Sequence, residues 1–387
     1  MENREYDVVV IGAGPGGSIS AKTIAEQGLN VLLMEKRQEI GAPKRCAEGT
    51  SINTFRRLEI PIEKRWICSE IKGFYLHAPN GKRISRVWKE TQGFVLERKI
   101  FDKYLASLAV RAGSELMVKT AALGIEYKNN CLRVKASHFG EPLEIETKMV
   151  IGADGVESKV ARWLGIDTSK LRDMTSNVQF EMVGVDLEDP NILYFYFGNK
   201  IAPGGYAWIF PKGNDVANVG LGVRKSNTIA LNYLRRFIDS HENLKKGVPI
   251  ELNVGGTPVS GPLEKTYTER ALIVGDAAGQ IDPLTGGGIY SSMTCGKIAG
   301  KVASEAIENN DTSEKFLSRY QEEWYKTIGK NMERSLRIKQ SIEKLSDEGL
   351  NIIAEALSEK DLPKSKKEII KTVIRHPDLL KLIREIV

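Results

Sequence analysis

The chain is poor in cysteine and histidine and has no long apolar run. Its four cysteines, Cys46, Cys68, Cys131 and Cys295, are scattered through 387 residues and form no C-x-x-C pair. That argues against a zinc site or a disulfide scaffold and makes a reducing cytoplasm the expected setting. The four histidines, His77, His138, His241 and His376, all fall outside recognisable motifs. No apolar stretch approaches the ~18 residues of a membrane-spanning helix. The opening residues, Met1-Glu2-Asn3-Arg4-Glu5, have no signal-peptide character and lead at once into a strand pattern. A dominant charge is missing too. The 56 Lys+Arg against 50 Asp+Glu leave +6, dispersed along the chain. So mild a surplus predicts no nucleic-acid partner, although it suits anionic lipid or phosphate. With 27% charged and 41% hydrophobic residues the composition is that of a folded globular protein.

Glycine is plentiful. The 36 present exceed the roughly 27 of average usage, and they cluster. Residues 6–11, Tyr-Asp-Val-Val-Val-Ile, are a short continuous apolar run of the kind that forms a buried parallel strand. Glycines at 12, 14, 16 and 17 follow, then a helix pattern to about Gln27 with Gly28 as its stop, then a second strand over 30–35. This is a βαβ opening. Residues 71–97 alternate around Pro79-Asn80-Gly81 and read as an antiparallel hairpin, and 95–112 read as a helix. Residues 177–223 are strand-rich, and 271–275 repeat the buried-strand pattern. Beyond 312 the chain reads as helices, with Phe316, Tyr320, Trp324, Ile328, Met332 and Leu336 recurring every four residues.

Gly12, Gly14 and Gly17 spell G-x-G-x-x-G between a strand and a helix. Gly12 permits the tight turn, Gly14 lets backbone approach a pyrophosphate, and Gly17 lets helix and strand pack closely. The helix start offers free N–H groups and the positive end of its dipole. Glu35 ends the second strand, where a carboxylate can accept from a ribose diol. This predicts a dinucleotide site but does not separate NAD from FAD. Two later segments bear on that choice. Residues 151–155 read Ile-Gly-Ala-Asp-Gly, and 273–289 run from Ile273 through Asp276 to Gly286, Gly287, Gly288 and Ile289. Asp276 ends a buried strand and can reach a ribityl or ribose hydroxyl. The triple glycine opens a helix whose N–H groups can face a flavin edge or a phosphate. Each segment also reads as a plain strand-to-helix turn.

Together, in this order, the three segments resemble the para-hydroxybenzoate hydroxylase group of flavoproteins over roughly the first 310 residues. Pro203-Gly-Gly-Tyr206-Ala-Trp208-Ile-Phe210-Pro211 resembles the PxxYxWxFP motif of its geranylgeranyl reductases, with every fixed position present. Lys44-Arg45-Cys46-Ala47-Glu48-Gly49 is similar to the segment that crosses the flavin in their archaeal branch. The resemblance implies FAD as cofactor, held by Gly12, Ala13, Gly14, Gly16, Gly17, Ser18, Glu35, Lys36, Arg45, Cys46, Ala47, Arg98, Ala122, Asp154, Asp276, Gly286, Gly287, Gly288 and Ile289. It implies an oxidoreductase that saturates C=C bonds of geranylgeranyl chains in archaeal ether phospholipids. Alternation puts Tyr206, Trp208 and Phe210 on one strand face, an aromatic wall suited to a long alkene, with Pro211 at its end. Cys46 and Tyr206 are candidate proton donors, with ordered water as a rival, and no metal is expected.

The expected fold class is α/β (α+β overall). A Rossmann-type FAD-binding domain would comprise 1–70, 98–170 and 256–311. An interleaved antiparallel-sheet catalytic domain would comprise 71–97 and 171–255, and a helical C-terminal domain 312–387. Expected partners are the isoprenoid lipid, an external electron donor (NAD(P)H, ferredoxin or a reductase) and the membrane surface, on which the protein would sit peripherally from the cytoplasm. The last helix, with Lys381 and Arg384 opposite Leu379, Leu380, Leu382, Ile383, Ile386 and Val387, is one candidate docking face. Two alternatives share the fold: a flavin-dependent aromatic monooxygenase, and a prenyl-binding carrier without redox work.

Overall fold

Val8 and Val10 point to one side of the first strand, Val9 and Ile11 to the other, and all four are buried. A strand apolar on both faces must sit in the middle of a sheet covered on both sides. A computed structural model describes residues 4–224 and 226–358, and it places Arg4–Ile11 in that position. The sheet runs, from its edge, Tyr267–Thr268, Ala271–Ile273, Glu141–Gly152, Arg4–Ile11, Val31–Met34, Glu115–Met117. All neighbours are parallel except the first pair. Helices Pro15–Ala25, Arg98–Arg111 and Ile289–Glu308 cover one face, bringing Ile24, Ala106 and Ala299 onto Val8, Val10 and Leu33. The hairpin Thr120–Tyr127 and Leu132–His138 covers the other, with Leu132 and Val134 against Val9, Leu32 and Met34. Each such side chain contributes about 1.5–3 kcal/mol by leaving water.

The chain divides into two units. The first comprises Met1–Lys44, Arg98–Asp173 and Pro258–Glu333; the second comprises Arg45–Glu97, Met174–Thr257 and the chain from Arg334 on. The second is built on a seven-stranded sheet in the order Val248–Pro258, Met174–Val183, Val216–Val223, Tyr206–Pro211, Ile192–Tyr196, Gly73–His77, Arg83–Val87. From Met174–Val183 through Arg83–Val87 the neighbours are antiparallel except one pair: Ile192–Tyr196 runs parallel to Gly73–His77. Helix Ala230–Asp239 lays Tyr233, Leu234 and Phe237 onto one face of it, against Val178, Ile209 and Leu221.

These boundaries depart from the expected ones. Residues 45–70 belong with the second unit because Gly49–Ser51 and Ile67–Ile71 flank Gly93–Leu96 in a small three-stranded sheet. For the same reason the expected helix over 95–112 begins only at Arg98, since Val95 and Leu96 are strand residues. Among the described residues the helices after 312 form no third body, because their apolar faces are spent on existing cores. Tyr320 and Trp324 are buried in the first unit, while Glu343 pairs with Arg224 and Asp347 accepts from Asn199 in the second. A strict four-residue repeat overshoots each α-helical turn by about 0.4 residue and would wander off the core. Here a π-helical turn over Tyr325–Gly329 takes up the excess. Leu317, Tyr320, Trp324, Ile328 and Met332 stay buried, and Phe316 is displaced to the margin. The amphipathic segment containing Lys381 and Arg384 lies outside the described residues.

Candidate active site

In the first unit the glycine-rich turn is tied down by its neighbours and open on one side. Gly12 has φ +108°, and a Cβ on it would strike the carbonyl of Ala153. A Cβ on Gly17 would strike the carbonyl of Gly12, so turn and helix close on each other. Gly14 differs. As N-cap of the helix Pro15–Ala25 it has no side-chain cap, and a Cβ there would meet nothing within 4 Å. Its neighbourhood is free for a ligand. Glu35 holds the turn, with Oε2 accepting from Ala13 N at 3.1 Å and Oε1 from Arg37 N at 2.9 Å. A carboxylate has about four acceptor sites, so ribose hydroxyls remain within its capacity. Ser18 spends its hydroxyl on the carbonyl of Ala13, and exposed Lys36 pairs with Glu157 at 3.0 Å. Ala122 sits at a bulge where the pairing with the strand Leu132–His138 shifts register.

The other expected residues of this unit gather around two turns. Asp154 Oδ2 accepts from Lys159 N and Val160 N at 2.7 and 3.1 Å, while its Oδ1 and the Oγ of Ser158 are buried without a partner. Such orphans cost about 1–3 kcal/mol each unless a bound molecule satisfies them. Asp276 lies in the turn Gly275–Ala278, where burial raises its pKa above the ordinary carboxylate value and the positive field of Arg98 opposes the rise. Arg98 is gripped bidentately by Asp102 at 2.7 and 2.8 Å. Gly288 caps the helix Ile289–Glu308 without a side-chain bond, and a Cβ on it would lie 3.4 Å from Asp276 Oδ1. Ile289 is buried behind it, and Gly286, at φ +69°, and Gly287 are exposed.

In the second unit Tyr206, Trp208 and Phe210 share one face of their strand, and Phe195 and Phe197 join them. Ring centroids are 5.7 Å apart for Phe195–Tyr206, 5.4 Å for Phe195–Phe210, 5.9 Å for Tyr206–Trp208 and 5.8 Å for Phe197–Tyr206. Pro211 is buried at the strand end. The segment Arg45–Gly49 is stitched to the same sheet. Gln179 accepts from Trp208 Nε1 at 2.8 Å and donates to the carbonyl of Cys46 at 3.2 Å. Asn218 donates to the carbonyl of Ala47 at 3.2 Å and to Glu48 Oε2 at 2.7 Å. Cys46 Sγ accepts from Glu48 N at 3.1 Å, Arg45 packs over Gly255, and a Cβ on Gly49 would press into the Phe210 ring at 2.7 Å.

Under this segment lies a charge cluster. Glu48, fully buried at φ +75°, pairs with Lys212 at 2.8 Å, and Lys212 also reaches Glu97 at 2.8 Å and Glu181 at 3.0 Å. Burial pulls the Lys212 pKa down, but the carboxylates outweigh it and hold the ammonium above the ordinary lysine value. Beside it, burial pushes the Cys68 thiol up to about 11.

The chain is similar to known proteins. The geranylgeranyl reductase catalytic domain family matches residues 173–257, and the FAD binding domain family matches residues 5–214. A digeranylgeranylglycerophospholipid reductase of Methanocaldococcus jannaschii is 47% identical over 392 aligned residues, 99% of each chain. One from Methanothermobacter thermautotrophicus is 45% identical, over 96% of this chain and 95% of its own.

The chain belongs to the digeranylgeranylglycerophospholipid reductase family.

Solved structures share its fold. The crystal structure of a geranylgeranyl bacteriochlorophyll reductase-like protein from Thermoplasma acidophilum superposes with TM-score 0.91 at 37% identity, covering all of both chains. The halogenase PltM, solved with FAD, superposes with TM-score 0.72 at 15% identity over 97% of this chain and 85% of its own, a likeness of fold alone. The enzyme is thus an oxidoreductase with FAD as cofactor. The open side of Gly14 and the orphaned oxygens of Asp154 and Ser158 suit such a group. No helix among the described residues is long and apolar enough to cross a membrane.

Several residues that shape this reductase escaped the motif reading. Gln280 accepts from Gly275 N at 2.8 Å and donates to Tyr320 Oη at 2.9 Å, and Tyr320 donates to the carbonyl of Ile273 at 2.9 Å. They brace the Asp276 turn from a helix 40 residues away. Asp282 accepts from Leu284 N, Thr285 N and Thr285 Oγ1, folding the loop that ends in the triple glycine. Its signal was visible as an Asp-Pro turn start. Gln179, Asn218 and Lys212 had no local signal, because their partners are up to 171 residues distant.

Proposed function

We propose that the protein saturates C=C bonds of geranylgeranyl chains in archaeal ether phospholipids, working at a membrane surface with an external reductant. The observation that carries this reading is the aromatic face of Tyr206, Trp208 and Phe210, tied through Gln179 to the Cys46 segment. Bound in its reduced form, FAD would supply the hydride, and a proton from the protein or water would complete each CH–CH bond.

An isolated alkene has no carbonyl to absorb developing charge, so protonation that runs ahead builds cationic character on the more substituted carbon. The rings of Phe195, Tyr206, Trp208 and Phe210 can stabilise that charge through their π faces while offering an apolar bed to the chain. Cys46 is our candidate proton donor. Its sulfur accepts the Glu48 N–H, and its backbone carbonyl is held by Gln179, so side chain and main chain are each anchored. Tyr206 is the rival. Arg98, oriented by Asp102, and the N-termini of the helices Pro15–Ala25 and Ile289–Glu308 are our candidates for holding the cofactor's phosphates and ring edge, with Glu35, Asp154 and Asp276 on its hydroxyls. The neighbourhood of Asn253, buried with neither amide atom partnered, has polar capacity for a bound molecule.

The test is anaerobic. Reduced enzyme is mixed with a geranylgeranyl ether phospholipid and the lipid mass is read. A gain of two hydrogens per double bond with reoxidation of the flavin is expected. Unchanged lipid with the flavin still reduced would refute the reading.

A further inference from the structure

Four aliphatic side chains stand in the open on one edge strand. Val248–Pro258 is the end member of the seven-stranded sheet, and its Val248, Ile250, Leu252 and Val254 are 60%, 59%, 53% and 58% exposed. Side chains alternate along a strand, so these four share one face. Asn253, on the other face, is buried. The usual polarity is reversed, with aliphatics outside and an amide inside. Single exposed aliphatics are ordinary, but an unbroken row along a sheet edge invites a partner.

We propose that this row is the surface on which the protein lies against an anionic lipid bilayer. Charge complementarity points to that partner. Lys245 and Lys246 are exposed and precede the row, with only Gly247 between. Lys245 shares its charge with Glu242 at 3.3 Å, an exposed pair of little strength. Ammonium groups at headgroup level with aliphatic side chains just beneath are the arrangement of an interfacial anchor.

A second copy of the chain fits less well. Pro249, in the same strand, has no N–H to offer, which interrupts edge-to-edge pairing. Four half-exposed side chains present on the order of 200–300 Å², against about 800 Å² per partner in a stable interface. The inference rests on the lipid substrate proposed above, which is what brings the protein to a bilayer. The row faces away from the aromatic wall, because Gly255 and Thr257, which share the parity of Asn253, meet Arg45 and Asn177 on the side of the sheet that carries Tyr206, Trp208 and Phe210. The row therefore concerns docking and not the passage of the alkene.

The experiment sediments the full chain with phosphatidylglycerol vesicles, as wild type and as the double variant Ile250→Ser/Leu252→Ser. We expect at least a tenfold loss of vesicle binding in the variant, with an unchanged circular dichroism spectrum and unchanged turnover of detergent-dispersed lipid. Val254→Asp should act in the same direction, and Lys245→Glu/Lys246→Glu should weaken binding chiefly at low salt. Equal sedimentation of wild type and folded variants overturns the proposal. So does a wild-type dimer in ultracentrifugation that the double variant dissolves, which would give the face to a second copy. Because sedimentation reads binding and lipid mass reads turnover, failure of the docking surface and failure of the substrate assignment are separate results.

Discussion

Lys212 Nζ lies 2.8 Å from Glu48 Oε2, with 3% of the lysine side chain and none of the glutamate exposed. The pair pins a non-glycine residue in the left-handed region, a conformation that costs roughly 1–2 kcal/mol in isolation. Two further carboxylates, of Glu97 and Glu181, lean on the same ammonium. The segment carrying Cys46 is therefore held by this cation as well as by Gln179 and Asn218.

Lys212→Met should destabilise the protein by about 3–5 kcal/mol, because it strands buried carboxylates. Urea denaturation checks this. The ammonium's pKa is raised in the folded state, so its contribution is complete below the ordinary lysine value of about 10.4 and is lost only as pH climbs through the higher folded value. The difference between wild type and variant should therefore be flat from pH 7 to 9. A difference that shrinks across that window would contradict the assignment.

The glycine fingerprint separates folding from binding. Gly17→Ala drives a methyl into the Gly12 carbonyl and should lower the melting temperature and flavin content together. Gly14→Ala meets no protein atom within 4 Å. It should leave the melting temperature of flavin-free protein within about 2 °C while weakening FAD at least tenfold, about 1.4 kcal/mol. Equal FAD affinity in Gly14→Ala and wild type would remove the pyrophosphate from that position.

Asp276 works against stability. Its pKa is raised by burial, so the ionised form is disfavoured in the folded state, and the penalty is present at neutral pH and fades as pH falls through the raised value. Asp276→Asn should stabilise the flavin-free protein by about 0.5–2 kcal/mol at pH 7 and less at pH 4, while reducing flavin retention. Calorimetry with flavin absorbance reads both, and a variant less stable at pH 7 would refute the penalty.

Thiol chemistry should be selective. With its pKa near 11, Cys68 is about one-thousandth thiolate at pH 8, and Cys295, fully buried, is held well above the usual thiol value. Iodoacetamide at pH 8 followed by peptide mass spectrometry should leave both unmodified in native protein. Rapid alkylation of Cys68 would contradict its raised pKa.

The βαβ opening, the acid ending its second strand and the aromatic face were legible because each is local: a run of six, a spacing of three, an alternation of two. What could not be read was whatever joins distant segments. Gln179 looks like any polar strand residue until Trp208 and the carbonyl of Cys46 arrive on either side of it. The helices after 312 looked like a domain because helical periodicity says that a face is apolar without saying which core receives it. Val95 and Leu96 read as helix because they precede a true one, and only their pairing with Gly49 and Ile67 makes them strand.

The helices Pro15–Ala25 and Ile289–Glu308 meet where a Cβ on Gly296 would collide with the carbonyl of Gly16, and Ser20 Oγ bonds the carbonyl of Gly296 at 3.1 Å. Main chain rests on main chain there. The distance between the two helix beginnings, at Gly14 and Gly288, is thus set largely by backbone contact, and any larger residue at Gly16 or Gly296 would force the two beginnings apart.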